Sequence, residues 1–164
     1  MKKTILTAML LIPMSIFAQK FGHFDSAEII QLMPEYTAAQ TELQQLQSQY
    51  EDDLKRMQEE LQKKAEEYEA EKENLLENVA QRRETELNDL YQRIQQSYTD
   101  NQKSLQEASQ QKMQAISDKM LAAIKEIGTE GGYVYIMDVS GGIPYISSTL
   151  STDISSQLKQ KLGL

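Results

Sequence analysis

The chain has 164 residues, with 17 basic and 25 acidic side chains and a formal net charge of −8. That balance disfavours nucleic acid, whose phosphates demand Lys and Arg, and disfavours strong general attraction to anionic lipid. Cys is absent, which excludes a disulfide framework, thiol chemistry and Cys metal sites.

Taken in order, Lys2 and Lys3 precede a mostly apolar run, Ile5 to Phe17, broken at Pro13. Ala18 supplies the small residue before a cleavage point, and Gln19 becomes the new N-terminus. This layout predicts a secretory signal peptide over 1–18. Its one irregularity is Ile16, where Ala or Val is commoner. The run is too short to span a bilayer comfortably and nothing like it recurs, so no stable membrane insertion is expected. Removing Lys2 and Lys3 leaves 15 basic against 25 acidic residues, a net charge of about −10.

Lys20 to Phe24, KFGHF, reads as a short strand. Asp25 with Glu28 three residues on has capping-box spacing. Ile29, Ile30, Leu32 and Met33 mark a first short helix, which Pro34 kinks or ends.

From there to Gly128 the chain has neither Gly nor Pro, and Gln, Glu, Lys, Leu and Ala dominate, all good helix formers. Leu43, Leu46, Tyr50, Leu54, Met57, Leu61, Ala65 and Tyr68 repeat every eleven residues, a period of about 3.67 that gives a nearly straight seam. Leu87, Leu90, Ile94 and Tyr98 form a second stripe, and Met113, Ile116, Met120, Ile124 and Ile127 a third. Asn101, Ser109 and Lys112 interrupt the seam between them. A stripe this narrow zips against one other helix and cannot build a globular core. Two architectures satisfy it: a continuous rod of about 140 Å paired with a second chain, or a helix that folds back on itself. The turn of a fold-back falls near 72–83, where Lys72 and Arg83 sit on the seam phase and Asn74 and Asn78 tolerate turn geometry. Periodicity leaves both open.

At the far end, Gly128, Gly131 and Gly132 are expected to stop the helix. Tyr133–Val139 is aromatic and β-branched on both faces, a strand covered on both sides. Gly141-Gly142 signals a two-residue β-hairpin into Ile143–Ser147, with Pro144 demoting that second strand to an edge or a bulge. Ser151 or Asp153 can cap a last helix bearing Ile154, Leu158 and Leu162 on one side. If the long helix folds back, the two chain ends return to one place and share a sheet. That closure favours the fold-back. A body of only about 50 residues without disulfides commonly needs oligomerisation.

The strand and helix FGHFDSAEIIQLMPEY, the Gln/Glu/Lys-rich middle and the tail YVYIMDVSGGIPYISSTLSTDISSQLKQKL together resemble the OmpH-like (Skp) family of periplasmic chaperones. In the tail, the family's strand ending in Asp matches Tyr133–Asp138, its second strand matches Ile143–Ser147, and the start of its last helix matches Asp153-Ile154-Ser155. The resemblance implies an α+β fold: a small β-body from 19–36 and 128–164, with a helical-hairpin tentacle, 37–127, inserted between. It implies a homotrimer held through Phe21, Phe24, Tyr133, Tyr135, Ile136, Ile143 and Tyr145. It implies an ATP-independent periplasmic holdase that binds unfolded outer-membrane and other envelope proteins in a cavity between the helical tentacles, with no cofactor, metal or catalysis. The chain departs from the familiar basic member in being acidic, and Lys63, Lys64, Arg82 and Arg83 are flanked by acidic residues. No lipopolysaccharide site is therefore carried over.

Candidate client contacts are Tyr50, Met57, Tyr68, Tyr91, Tyr98 and Met113. Tyr offers apolar area with a polar tip and Met adapts to irregular partners, although packing within the seam is the commoner use of such residues. His23 is the only His and builds no catalytic constellation alone. The run Glu66, Glu67, Glu69, Glu71, Glu73 reads as a solvated helix face. The competing reading is an exported coiled-coil scaffold or envelope spacer without chaperone activity.

Overall fold

The computed structural model describes residues 19–164, so the expected signal segment lies outside the described residues. In chain order the elements are β1 (Lys20–Phe24), α1 (Ser26–Leu32), α2 (Pro34–Glu71), a single 3-10 turn (Lys72–Asn74), α3 (Glu77–Gly131), β2 (Tyr133–Asp138), β3 (Ser151–Asp153) and α4 (Ser155–Leu162). They form two compact units. One joins the described residues up to Ala27 to Ala122–Gly163, and the other is Glu28–Leu121.

The first unit holds a three-stranded sheet in the order β2-β1-β3. Both ends of the chain contribute, and β1 is central, parallel to each neighbour. Along β1 the side chains alternate between faces. Phe24 is buried on one side, while Phe21 and His23 point to the other. Gly22 faces the same side as Phe24, where a Cβ would come within 3.1 Å of Ile136 Cγ1 and 3.2 Å of the Tyr133 ring. On the opposite face the Phe21 and Tyr135 rings pack with centroids 4.7 Å apart.

The expected β-hairpin does not form. β2 is where the sequence puts it, but Ile143–Ser147 is not a strand, and the third strand is Ser151–Asp153 on the far edge of β1. Gly142 does close a tight turn, with φ of 82° and its N–H donating to Val139 O at 2.9 Å. Pro144 then has no N–H for a ladder. The Ser147 hydroxyl takes the N–H groups of Thr149 and Leu150, and Ser147 O takes Ser151 N–H at 3.1 Å. These local bonds give the backbone an alternative to pairing with β2.

The last helix starts where Asp153 Oδ1 accepts Ser155 N–H at 2.8 Å. Ile154 and Leu158 are completely buried and Leu162 nearly so. Gly163, at φ 77°, closes the end. Lys161 in its last turn pairs with Glu126 and Glu130 of α3, each at 3.0 Å. The expectation that Gly128 stops the long helix is also corrected: α3 runs through it to Gly131, and Gly132, at φ 66°, ends it. Gly128 lies inside α3 against β2, where a Cβ would make ordinary contact with Ile136 Cδ1 at 3.5 Å.

The second unit is the fold-back. Pro34 opens α2 at a position where its missing N–H costs nothing. The chain turns after Glu71 through Lys72–Asn74 and an extended Leu75, and α3 begins at Glu77. The reversal removes the continuous rod. Cross-helix partners step towards the turn in antiparallel order: Glu35 with Lys119, Glu42 with Lys112, Tyr50 with Ser104, Lys64 with Glu86, Tyr68 with Glu84. Within this unit Ala39, Tyr68, Leu90, Ile94, Ile116 and Met120 are buried. Leu43, Leu46, Leu54 and Leu61 reach only half-burial, because two helices share one seam.

Tyr98, expected in that seam, is exposed, while Ser97 turns inward. Here the inward positions of α3 step Leu87, Leu90, Ile94, Ser97, Asn101, Ser104. The step of three from Ile94 to Ser97 stays on the side that faces α2, and the step of four to Tyr98 lies about 100° further round the helix.

Candidate interaction surfaces

The sheet unit leaves an apolar surface open. Val134, Tyr135, Met137, Tyr145 and Leu150 are all exposed, Tyr145 by 79%. A cleft of about 340 Å³ opens among Phe21, Tyr135, Met137, Ile143, Tyr145 and Leu150. Of the residues expected to hold an assembly together, Phe24 is buried in this unit, Phe21, Tyr133, Ile136 and Ile143 are half-buried, and Tyr135 and Tyr145 face out. Ile143–Ser147, which sequence reasoning assigned to a strand, instead lines the cleft on the Phe21 side of the sheet, together with Leu150.

One polar contact beside this cleft was not legible in the sequence. His23 Nδ1 and Ser151 Oγ lie 2.8 Å apart, and Asp153 stands opposite His23 in the β1–β3 register. Hydrogen bonding from Ser155 holds the Asp153 carboxyl below its ordinary range. That carboxylate is committed to the start of α4, so the trio reads as a strand-to-helix lock.

The Asp138 carboxylate plays the matching part at the start of α1. It accepts Ser26 N–H at 3.1 Å and Ser140 N–H at 3.0 Å. Desolvation pushes its pKa up, but hydrogen bonds from Ser26 and Ser140 outweigh that and hold it below the ordinary value.

The helical hairpin treats the proposed contact residues in two ways. Tyr50 and Tyr68 turn into the seam. Tyr50 hydroxyl meets Ser104 Oγ at 2.8 Å, and Tyr68 donates to Glu84. Met57 and Met113 are half-buried along it. Tyr91 and Tyr98 stand out in solvent, 50% and 55% exposed. Leu76, at the turn, is 73% exposed, an outcome that only the turn's location reveals. The glutamates 66, 67, 69, 71 and 73 are all exposed along the last turns of α2 and the 3-10 turn. Among the described residues no group of three or more His, Cys, Asp or Glu is arranged to hold a metal ion.

The family described as Outer membrane protein (OmpH-like) matches residues 20–162, nearly the whole described chain. The chain belongs to the OmpH-like family. OmpH-like proteins are periplasmic chaperones, and the sheet-plus-hairpin architecture agrees with that membership. A crystal structure of a proposed outer membrane chaperone (OmpH-like) from Caulobacter crescentus has the same fold, with a TM-score of 0.75 at 14% identity, covering 88% of this chain and 83% of that one. No curated protein gives a significant match. No described helix is long and apolar enough to cross a membrane.

Proposed function

We propose that this OmpH-like chain is an ATP-independent periplasmic holdase that keeps unfolded outer-membrane and other envelope proteins from aggregating. Residues 1–18 direct export. The segments 19–36 and 128–164 assemble three chains, and the hairpin 37–127 contacts the client. No cofactor takes part and no bond is made or broken.

The observation that carries this reading is the hairpin itself. Two long helices bury a single thin seam, so most of their length is left as surface, with Tyr91, Tyr98 and Leu76 exposed along it. An unfolded chain offers no defined epitope. Many weak contacts on several hairpins hold it through effective concentration while each contact stays exchangeable. The apolar surface of the sheet unit supports self-association, because monomeric proteins rarely leave such patches open.

The test is dilution of a urea-unfolded outer-membrane porin into buffer with and without the mature protein. Suppressed light scattering without ATP is the expected result. Unchanged aggregation would favour the spacer reading.

A further inference from the structure

The two long helices make a surface with two chemically different faces. Over Glu28–Leu121 the chain has 20 acidic against 11 basic side chains, yet these charges are not spread evenly. Successive residues turn about 100° around a helix. On α2, Glu35, Glu42 and Lys64 fall on one flank of the seam, and each reaches across to α3, to Lys119, Lys112 and Glu86. Gln44, Gln58 and Gln62 fall on the opposite flank.

The long helix α3 is divided in the same way. Asp89, Arg93, Asp100, Glu107 and Asp118 lie on one flank and the adjoining outer face. On the other flank, Asn88, Tyr91, Gln95, Tyr98, Gln102 and Gln106 follow one another at steps of three and four, and none is charged. This stripe is about 27 Å long at 1.5 Å per residue. For antiparallel helices whose seams face each other, the two flanks reached by counting in the same sense lie on the same side of the pair. The glutamines of α2 and the Tyr/amide stripe of α3 therefore share one face. The ion pairs occupy the other. On the neutral face only Glu51 and Lys55, of opposite sign, interrupt α2 between Gln44 and Gln58.

We infer that the Tyr/amide face, with Tyr91, Gln95, Tyr98 and Gln102 at its centre, is the surface that binds client, and that it selects uncharged, extended segments of an unfolded polypeptide. This rests on the holdase reading and specifies it. Glutamine and asparagine side chains both donate and accept hydrogen bonds, which matches the unpaired N–H and C=O groups of an unfolded backbone. The two tyrosines add apolar area for alternate side chains of such a segment. Elsewhere the hairpin presents fixed, mostly negative charge. A segment seated on the neutral face meets amides in place of that charge, so its capture is only weakly dependent on salt.

Binding of a dye-labelled, urea-unfolded outer-membrane porin to the mature protein tests this with paired variants. Gln95→Glu with Gln102→Glu places two carboxylates on the neutral face. Gln49→Glu with Gln111→Glu places two on the ion-paired face. All four positions are exposed, and circular dichroism checks that helix content is retained. The neutral-face pair is expected to weaken binding about tenfold, as leaving a desolvated carboxylate unpaired against bound backbone implies. The other pair stays within about twofold, as surface charge does. Equal weakening by both pairs, a larger effect of the second, or wild-type affinity that collapses with added salt overturns the assignment. Binding that follows the neutral face without suppression of aggregation would refute the holdase role and leave the face in place. No binding by the wild type refutes both.

Discussion

Tyr68 donates its phenolic hydrogen to Glu84 Oε1 at 2.5 Å, tying the end of α2 to the start of α3 beside the turn. That bond, helped by desolvation, pushes the phenol's pKa up to about 12. A raised folded-state pKa means the stabilisation is fully present below the unfolded value of 10.0 and is lost as pH rises towards 12. Absorbance titration of the wild type should therefore show the late ionisation of Tyr68. Glu84→Gln should return it to the ordinary range and reduce amide-exchange protection at the turn. A titration curve identical in the two proteins would show that the bond does not persist in solution.

Acid should loosen the same helix pair. The hydrogen bond from Lys64 to Glu86, and that from Lys119 to Glu35, hold both carboxyls below the ordinary value of 4.5. Depressed carboxylate pKa values give stability that is present above 4.5 and lost as pH falls through the lower folded values. Melting followed by circular dichroism should show the midpoint falling between about pH 5 and pH 3 by an amount that shrinks in a Glu35→Gln/Glu86→Gln variant. Both pairs are substantially exposed, so about 0.5 M salt should blunt the effect. A midpoint as acid-sensitive in the variant as in the wild type would assign the sensitivity to other carboxylates.

Periodicity gave the helices and the apolar seam but left the rod and the fold-back open; the closing of both termini into one sheet was legible from the strand patterns at the two ends and the resemblance they carry. Pattern failed where local chemistry outweighed it. Tyr133–Asp138 is a strand on β-propensity alone, but Gly141-Gly142 looked like a hairpin only because turn residues do not dictate the conformation of the residues after them. Pro144 was the warning, and the Ser147 hydroxyl, which gathers the backbone N–H groups of Thr149 and Leu150, has no periodic signature. Seam membership was legible to within one residue: Tyr98 and Ser97 differ by about 100° of rotation, and only the partner helix decides between them. The two-faced charge pattern was present in the sequence throughout. It became readable once the antiparallel pairing fixed which flank of α2 adjoins which flank of α3.

The stability of the sheet unit should concentrate in α4. Leu158 is completely buried, as is Ile154 one turn earlier. Leu158→Ala removes buried methyl groups and leaves a cavity, which should cost about 2–5 kcal/mol in urea unfolding. Gly22→Ala attacks the same unit from the centre of the sheet, crowding Ile136 and the Tyr133 ring, and should cost about 1–3 kcal/mol. An unfolding midpoint unchanged in both variants would mean that α4 and the β1–β2 pairing are not part of the cooperative core.

Assembly and folding of this unit should come apart in two adjacent residues of β2. Ile136 faces Gly22 and Gly128, inside the unit. Met137 is its neighbour on the strand and points to the opposite, open side, where it lines the cleft with Tyr135 and Tyr145. Ile136→Asp buries a charge without a partner and should destroy both the fold of the sheet unit and any oligomer. Met137→Glu places its charge on a surface that is exposed in the single chain, 45% by area. It should leave the circular dichroism spectrum intact and still lower the mass measured by analytical ultracentrifugation from the proposed trimer towards one chain. A Met137→Glu protein that sediments like the wild type would remove this face from the assembly. A wild type that sediments as a single chain would remove the trimer itself.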